Sequence, residues 1–151
     1  MHRFDLWPPD GTCHCALHPV GCLIERFGAT PSIAVEDVES FRLSQCRPMH
    51  DLAIADFTSR GVLAFGVDAA IHSSDEYGLP QAWAAGLRQA GFDGVQYWLS
   101  HDPRQELAGI ALFGGSGLDH AAGYRVEPAV PLDEALMVLG AGFGIRVVQA
   151  L

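Results

Sequence analysis

The chain has 151 residues, 49% of them hydrophobic and 18% charged. That is one domain's worth of sequence, too apolar to remain disordered. Eighteen acidic against nine basic side chains give a formal charge of −9, which excludes the basic stripe of a nucleic-acid binder.

From the start, Met1 to Pro9 holds no apolar signal-peptide core. No later run approaches the roughly 20 apolar residues of a membrane span. A soluble, cytoplasmic domain is expected. The turn Pro8-Pro9-Asp10-Gly11 opens a strand over residues 12–17. Residues 20–27 read as a helix ended by Gly28, and Thr30-Pro31 reads as the cap and first turn of another. Strands are expected from Phe41 to Cys46 and from Asp51 to Asp56, with a short helix from Thr58 to Leu63.

The clearest helix is 80–90, started by Pro80 and closed by Gly91, with Ala82, Trp83, Leu87 and Ala90 on one face. Strands at Val95–Leu99 and Leu107–Phe113 flank a polar loop, and Gly114-Gly115-Ser116-Gly117 then breaks the pattern. Leu132–Leu139 suggests a helix and Ile145–Val148 a last strand. Without a regular βαβ rhythm, the order points to an α+β fold. One domain over residues 1–151 is expected, a mixed sheet with flanking helices.

Standard motifs are missing: there is no P-loop, no G-x-S-x-G elbow and no H-E-x-x-H helix. The glycines of 140–144 read as a turn, and those of 114–117 as a loop rather than a phosphate cradle. All nine bases are arginine, so an anionic ligand needs an arginine, a backbone nest or a helix N-terminus. With no secretory signal, the four cysteines are expected to be reduced.

Cys13, Cys15, His18 and Cys22 form the densest set of metal-capable side chains. On a strand, however, Cys13 and Cys15 share one face while His14 takes the other, and small thiols also fill cores. No metal is expected, and a small zinc module on these four residues is an alternative. Glu25 stands in an otherwise apolar helical turn. By itself it reads as an exposed position paired with an arginine. At the edge of an apolar site, the same carboxylate can stabilise a developing cation. Asp93 and Asp102 read as turn formers, and Asp51 and Asp56 as strand-end residues. His50, His72 and His120 read as surface or loop residues, and Trp83 as core.

Taken together, Arg3-Phe4-Asp5, Cys13-His14-Cys15-Ala16 and Leu23-Ile24-Glu25-Arg26-Phe27-Gly28 resemble the opening motifs of the RES domain family. Gln81-Ala82-Trp83-Ala84, the run Gly91 to Tyr97, and His101-Asp102-Pro103 leading to Ala111–Gly114 extend the resemblance. It spans residues 1–114 and leaves 115–151 as a C-terminal extension.

The resemblance implies an ADP-ribosyltransferase-like fold and the toxin of a bacterial toxin–antitoxin pair. Such toxins destroy NAD+ by cleaving the nicotinamide–ribose bond, through hydrolysis or through phosphorolysis with inorganic phosphate as co-substrate. A helix-turn-helix antitoxin covers the site. Arg3 matches the family arginine and Glu25 the family glutamate. His14 stands at the family tyrosine, eleven residues from each. The implied roles are phosphate binding for Arg3, stacking for His14 and catalysis for Glu25. At the family serine, an ungapped count gives Leu99, with Ser100 one residue late; on a strand that residue points to the other face unless the chain bulges. Arg3 also lies where chain ends fray unless tied down. The departures at His14 and Leu99 make a catalytically degenerate domain, acting by binding a ligand or partner, the other reading.

Overall fold

The computed structural model describes residues 2–30, 32–117 and 123–149. The first strand, β1 (Asp10–Ala16), leads into helix α1 (Pro19–Phe27). Pro19 suits the first helical position, where its missing N–H costs nothing, and the His18 ring accepts a hydrogen bond from the Val20 amide. Val20, Leu23, Ile24 and Phe27 recur at i, i+3, i+4 and i+7 and are all buried. The Gly28 amide closes the helix on the Ile24 carbonyl.

Where Thr30-Pro31 predicts a helix, the chain instead forms β2 (Ser32–Ala34), and α2 (Val35–Ser40) follows; Pro31 lies outside the described residues. The strand expected over Phe41–Cys46 divides into β3 (Arg42–Leu43) and β4 (Cys46–Pro48). The next is cut to β5 (Ile54–Asp56), and the short helix is a 3-10 turn displaced to Arg60–Phe65.

Helix α3 (Ala70–Ser73) precedes α4 (Gly78–Gln89). Pro80 lies within the first turn of α4 rather than at its start, and Pro80, Ala84 and Leu87 are the buried positions. Ala82 and Ala90 are exposed, so the inward face is rotated from the predicted one. An alanine-rich helix gives little sign of which side faces in. Then come β6 (Gly94–Trp98) and β7 (Ala108–Gly115), the latter running through the first two glycines of the 114–117 loop. The strands β8 (Tyr124–Val126) and β9 (Val130–Pro131) were not legible in the sequence. Helix α5 (Glu134–Gly142) starts after Asp133, whose carboxylate caps the Leu136 amide at 2.7 Å, and β10 (Arg146–Val148) is last.

The main sheet has the order β1-β7-β6-β5, antiparallel except for the parallel β6–β5 pair. The remaining strands form three small ladders, β10–β2, β3–β9 and β4–β8. The architecture is α+β with a mixed sheet, as the element order implied. One core gathers Phe4, Val95, Tyr97, Leu99, Ala111 and Phe113 with Ala84 and Leu87 of α4. A second joins the buried face of α1 to Ile33, Leu136 and Ile145. Among the described residues no helix is long and apolar enough to cross a membrane.

Candidate functional site

The N-terminal segment forms no strand, yet it is fixed. Phe4 is fully buried, 4.9 Å from the Tyr97 ring and 6.2 Å from Phe57 between centroids. The Thr12 hydroxyl donates to the Phe4 carbonyl and accepts from the Leu6 amide, both at 3.0 Å. This anchoring answers the expectation that Arg3 would fray with the chain end. Arg3 is buried, and its Nη1 donates to the carbonyls of Ser74 (2.8 Å) and Ile71 (3.4 Å) at the end of α3. Helix ends leave such carbonyls without partners, so a guanidinium is well matched to them. Its carbon lies 5.4 Å from the Tyr77 ring centroid. Arg3 Nε and Nη2 make no hydrogen bond among the described residues.

His14 leaves β1 on the face opposite Cys13 and Cys15. Its Nε2 meets the Asp5 carboxylate at 2.9 Å, and its Nδ1 lies 3.4 Å from the Tyr97 hydroxyl. Burial works to raise the Asp5 pKa, but hydrogen bonds from His14 and the His2 amide outweigh it and hold the carboxyl below its ordinary value. Tyr97 moves the other way: burial, aided by the Glu25 charge, pushes its phenol up, so the hydroxyl keeps its proton near neutrality.

Glu25 projects from the exposed side of α1. Its Oε1 accepts from the Ser100 amide at 2.9 Å and from the Ser100 hydroxyl at 3.2 Å. His101 Nδ1 lies 3.7 Å from the same oxygen. Ser100 is not on a strand, because β6 ends at Trp98 and a turn closed by the Asp102 amide on the Leu99 carbonyl follows. The alternation that would send Ser100 to the far face therefore no longer applies. Asp102 fixes this loop: 3% exposed, its carboxylate accepts from the amides of Arg104, Glu106 and Leu107. Leu99, 2% exposed, is a core residue. A Cβ at Gly21 would meet its side chain at 2.8 Å and one at Gly109 would meet it at 2.7 Å, so both glycines make room for it.

Arg3, His14, Glu25 and Ser100 thus come from four separate segments to line one cavity of 380 Å³, a size suited to a small molecule. His2, Tyr77, Tyr97 and His101 line it too and were missed in the sequence. Tyr97 shares the core-facing alternation of Val95, which hides the use of its hydroxyl. His72, expected at the surface, is 5% exposed and accepts from the Trp98 amide. His120 lies outside the described residues.

The four residues of the alternative zinc reading, Cys13, Cys15, His18 and Cys22, do not assemble. His18 caps α1, and Cys22 stands apart from the other thiols. Cys46 joins Cys13 and Cys15 in its place, with the three sulfurs within 4.8 Å of one another. A hydrogen bond from Cys15 is the main cause holding the Cys13 thiol down, at about 6, and the same bond pushes Cys15 up. In the glycine loop the Ser116 amide is taken by the Pro9 carbonyl at 2.9 Å, so that N–H is not available to a phosphate.

A family model described as RES domain matches residues 2–133 of the chain, which reaches beyond the 1–114 span of the sequence resemblance. Neither the curated proteins nor the solved structures gave a match.

Proposed function

The chain belongs to the RES domain family, and from that premise we propose that it consumes NAD+ in the cytoplasm by breaking the nicotinamide–ribose bond. The observation that carries the reading is the convergence of Arg3, His14, Glu25 and Ser100 on one cavity. Its physiological setting is proposed as the toxin of a toxin–antitoxin pair, with a helix-turn-helix antitoxin covering the cavity mouth. An ADP-ribosyltransferase-like arrangement of the sheet belongs to the same proposal.

Arg3 has Nε and Nη2 left to hold the pyrophosphate or an attacking phosphate. His14 offers a ring face to the nicotinamide or ribose, held in place by Asp5. Ser100 occupies one oxygen of Glu25, which leaves the other for the ribose hydroxyls. As the C–N bond breaks, its electron pair leaves with neutral nicotinamide and the ribose becomes oxocarbenium-like. The Glu25 carboxylate stabilises that charge more than it stabilises the ground state, which is what lowers the barrier. Water then gives ADP-ribose and a proton; inorganic phosphate gives the ADP-ribose phosphate ester.

The test is NAD+ loss in vitro, with and without phosphate. Loss that falls by about 100-fold or more in Glu25→Ala supports the enzyme, in line with removal of one electrostatic stabiliser. A phosphate requirement identifies phosphorolysis. Folded protein that binds NAD+ without consuming it would overturn turnover and favour the degenerate binder, with His14 as its mark.

A further inference from the structure

We propose that Cys13, Cys15 and Cys46 form a three-thiolate site for a thiophilic d10 metal ion, with Zn2+ as the ion to test. The inference stands independently of the NAD+ reading. Cys13 and Cys15 are two residues apart on β1, so the strand period places both on one face, with sulfurs 3.8 Å apart. Cys46, the first residue of β4, sets its sulfur 3.3 Å from that of Cys15. A tetrahedral zinc with Zn–S bonds of about 2.3 Å spaces its sulfurs about 3.8 Å apart. Of the three separations, Cys13–Cys15 already matches, Cys15–Cys46 needs a small opening, and Cys13–Cys46 lies within 4.8 Å. Tyr124 of β8 lines a cavity together with Cys13.

The site also answers a packing question. The β4–β8 ladder contains no buried residue, so apolar burial contributes little to holding it near β1. A metal bound by two sulfurs of β1 and one of β4 would tie that ladder to the main sheet. Binding displaces the thiol protons, and three thiolates with one divalent ion leave a single net negative charge. A disulfide is the less suitable use of the cluster, because any one pair leaves the third thiol unpaired beside it.

The whole chain, reduced, is titrated with Co2+ and then with Zn2+. One equivalent of Co2+ should develop a thiolate charge-transfer band that one equivalent of Zn2+ abolishes. Zn2+ should shield Cys13, Cys15 and Cys46 from a thiol reagent and leave Cys22 reactive. Loss of a direct ligand should weaken Zn2+ by at least the 10–100-fold typical of losing a supporting contact, so Cys46→Ser is expected to bind about 100-fold more weakly. Cys22→Ser should bind as the parent does, and circular dichroism reports whether each variant is folded. Absence of the cobalt band in the parent protein, which requires no variant to fold, would overturn the proposal. So would undiminished binding by Cys46→Ser, or a Cys15–Cys46 disulfide that persists in reductant.

Discussion

Ser100 donates to Glu25 twice, through its amide and through its hydroxyl, and both bonds end on the same carboxylate oxygen. The amide bond belongs to the backbone and survives substitution, whereas the hydroxyl bond does not. A hydrogen bond to a charged group contributes about 1.5–3 kcal/mol, and the longer of the two bonds here belongs at the lower end. Ser100→Ala is therefore expected to lower kcat for NAD+ loss about tenfold with little change in KM, and Ser100→Thr to restore much of it. An unchanged kcat in Ser100→Ala would show that the amide alone positions the carboxylate. Arg3, His14 and Glu25 were legible through the family motifs, but His2, Tyr77, Tyr97, His101 and the facing of Ser100 were not. Val95, Tyr97 and Leu99 alternate inward, and the turn that follows then re-aims the next side chain, so the serine position counted at Leu99 is taken by Ser100 instead.

At the scale of the element, α3 is one turn long and joins the core to the site. Its final carbonyls hold Arg3, while His72 within it is buried and accepts the Trp98 amide through Nδ1, a bond that this nitrogen can make only when unprotonated. Burial first, and the charge of Arg3 second, hold the His72 pKa below its ordinary 6.5; the Phe57 backbone and Asp68 push the other way without prevailing. Between the folded value and 6.5 the unfolded chain binds more protons than the folded one. The His72 contribution to stability is thus complete above about 6.5 and is lost as pH falls from there to the folded value. Urea midpoints measured from pH 7.5 to pH 5 should decline, and His72→Asn, which still accepts the amide bond without titrating, should flatten that decline. Equal slopes for the two proteins would remove His72 as its cause. Elements of this kind resist sequence reading because they are short and their partners are remote. The strands β2, β3 and β4 pair with β10, β9 and β8 respectively, and propensity within a window of a few residues contains no information about such partners.

Across the whole molecule, α1 belongs to both halves. Its buried face forms the second core, while its exposed face presents Glu25 to the cavity. That face was legible because four apolar residues keep the helical period without interruption. What closes the core beneath it was not, because Leu136 and Ile145 come from more than a hundred residues later. The family match ends at residue 133, just before α5, yet Ile145 is buried against the residues of α1 and its amide bonds the Gly140 carbonyl at 3.1 Å. The C-terminal segment therefore packs on the same core as the helix that carries Glu25, and one cooperative unit is the expected outcome. Ile145→Ala removes buried methyl and methylene groups from a core that can only partly collapse around the gap, a change that costs about 2–5 kcal/mol. Urea unfolding should show that loss as a lower midpoint with an unchanged slope. Below the transition kcat should be retained, since α1 is also held to the main sheet by Leu99 packed against Gly21. A cost below about 1 kcal/mol, less than a buried isoleucine should give, would mean that residues 134–149 fold as an appendage rather than as part of the domain.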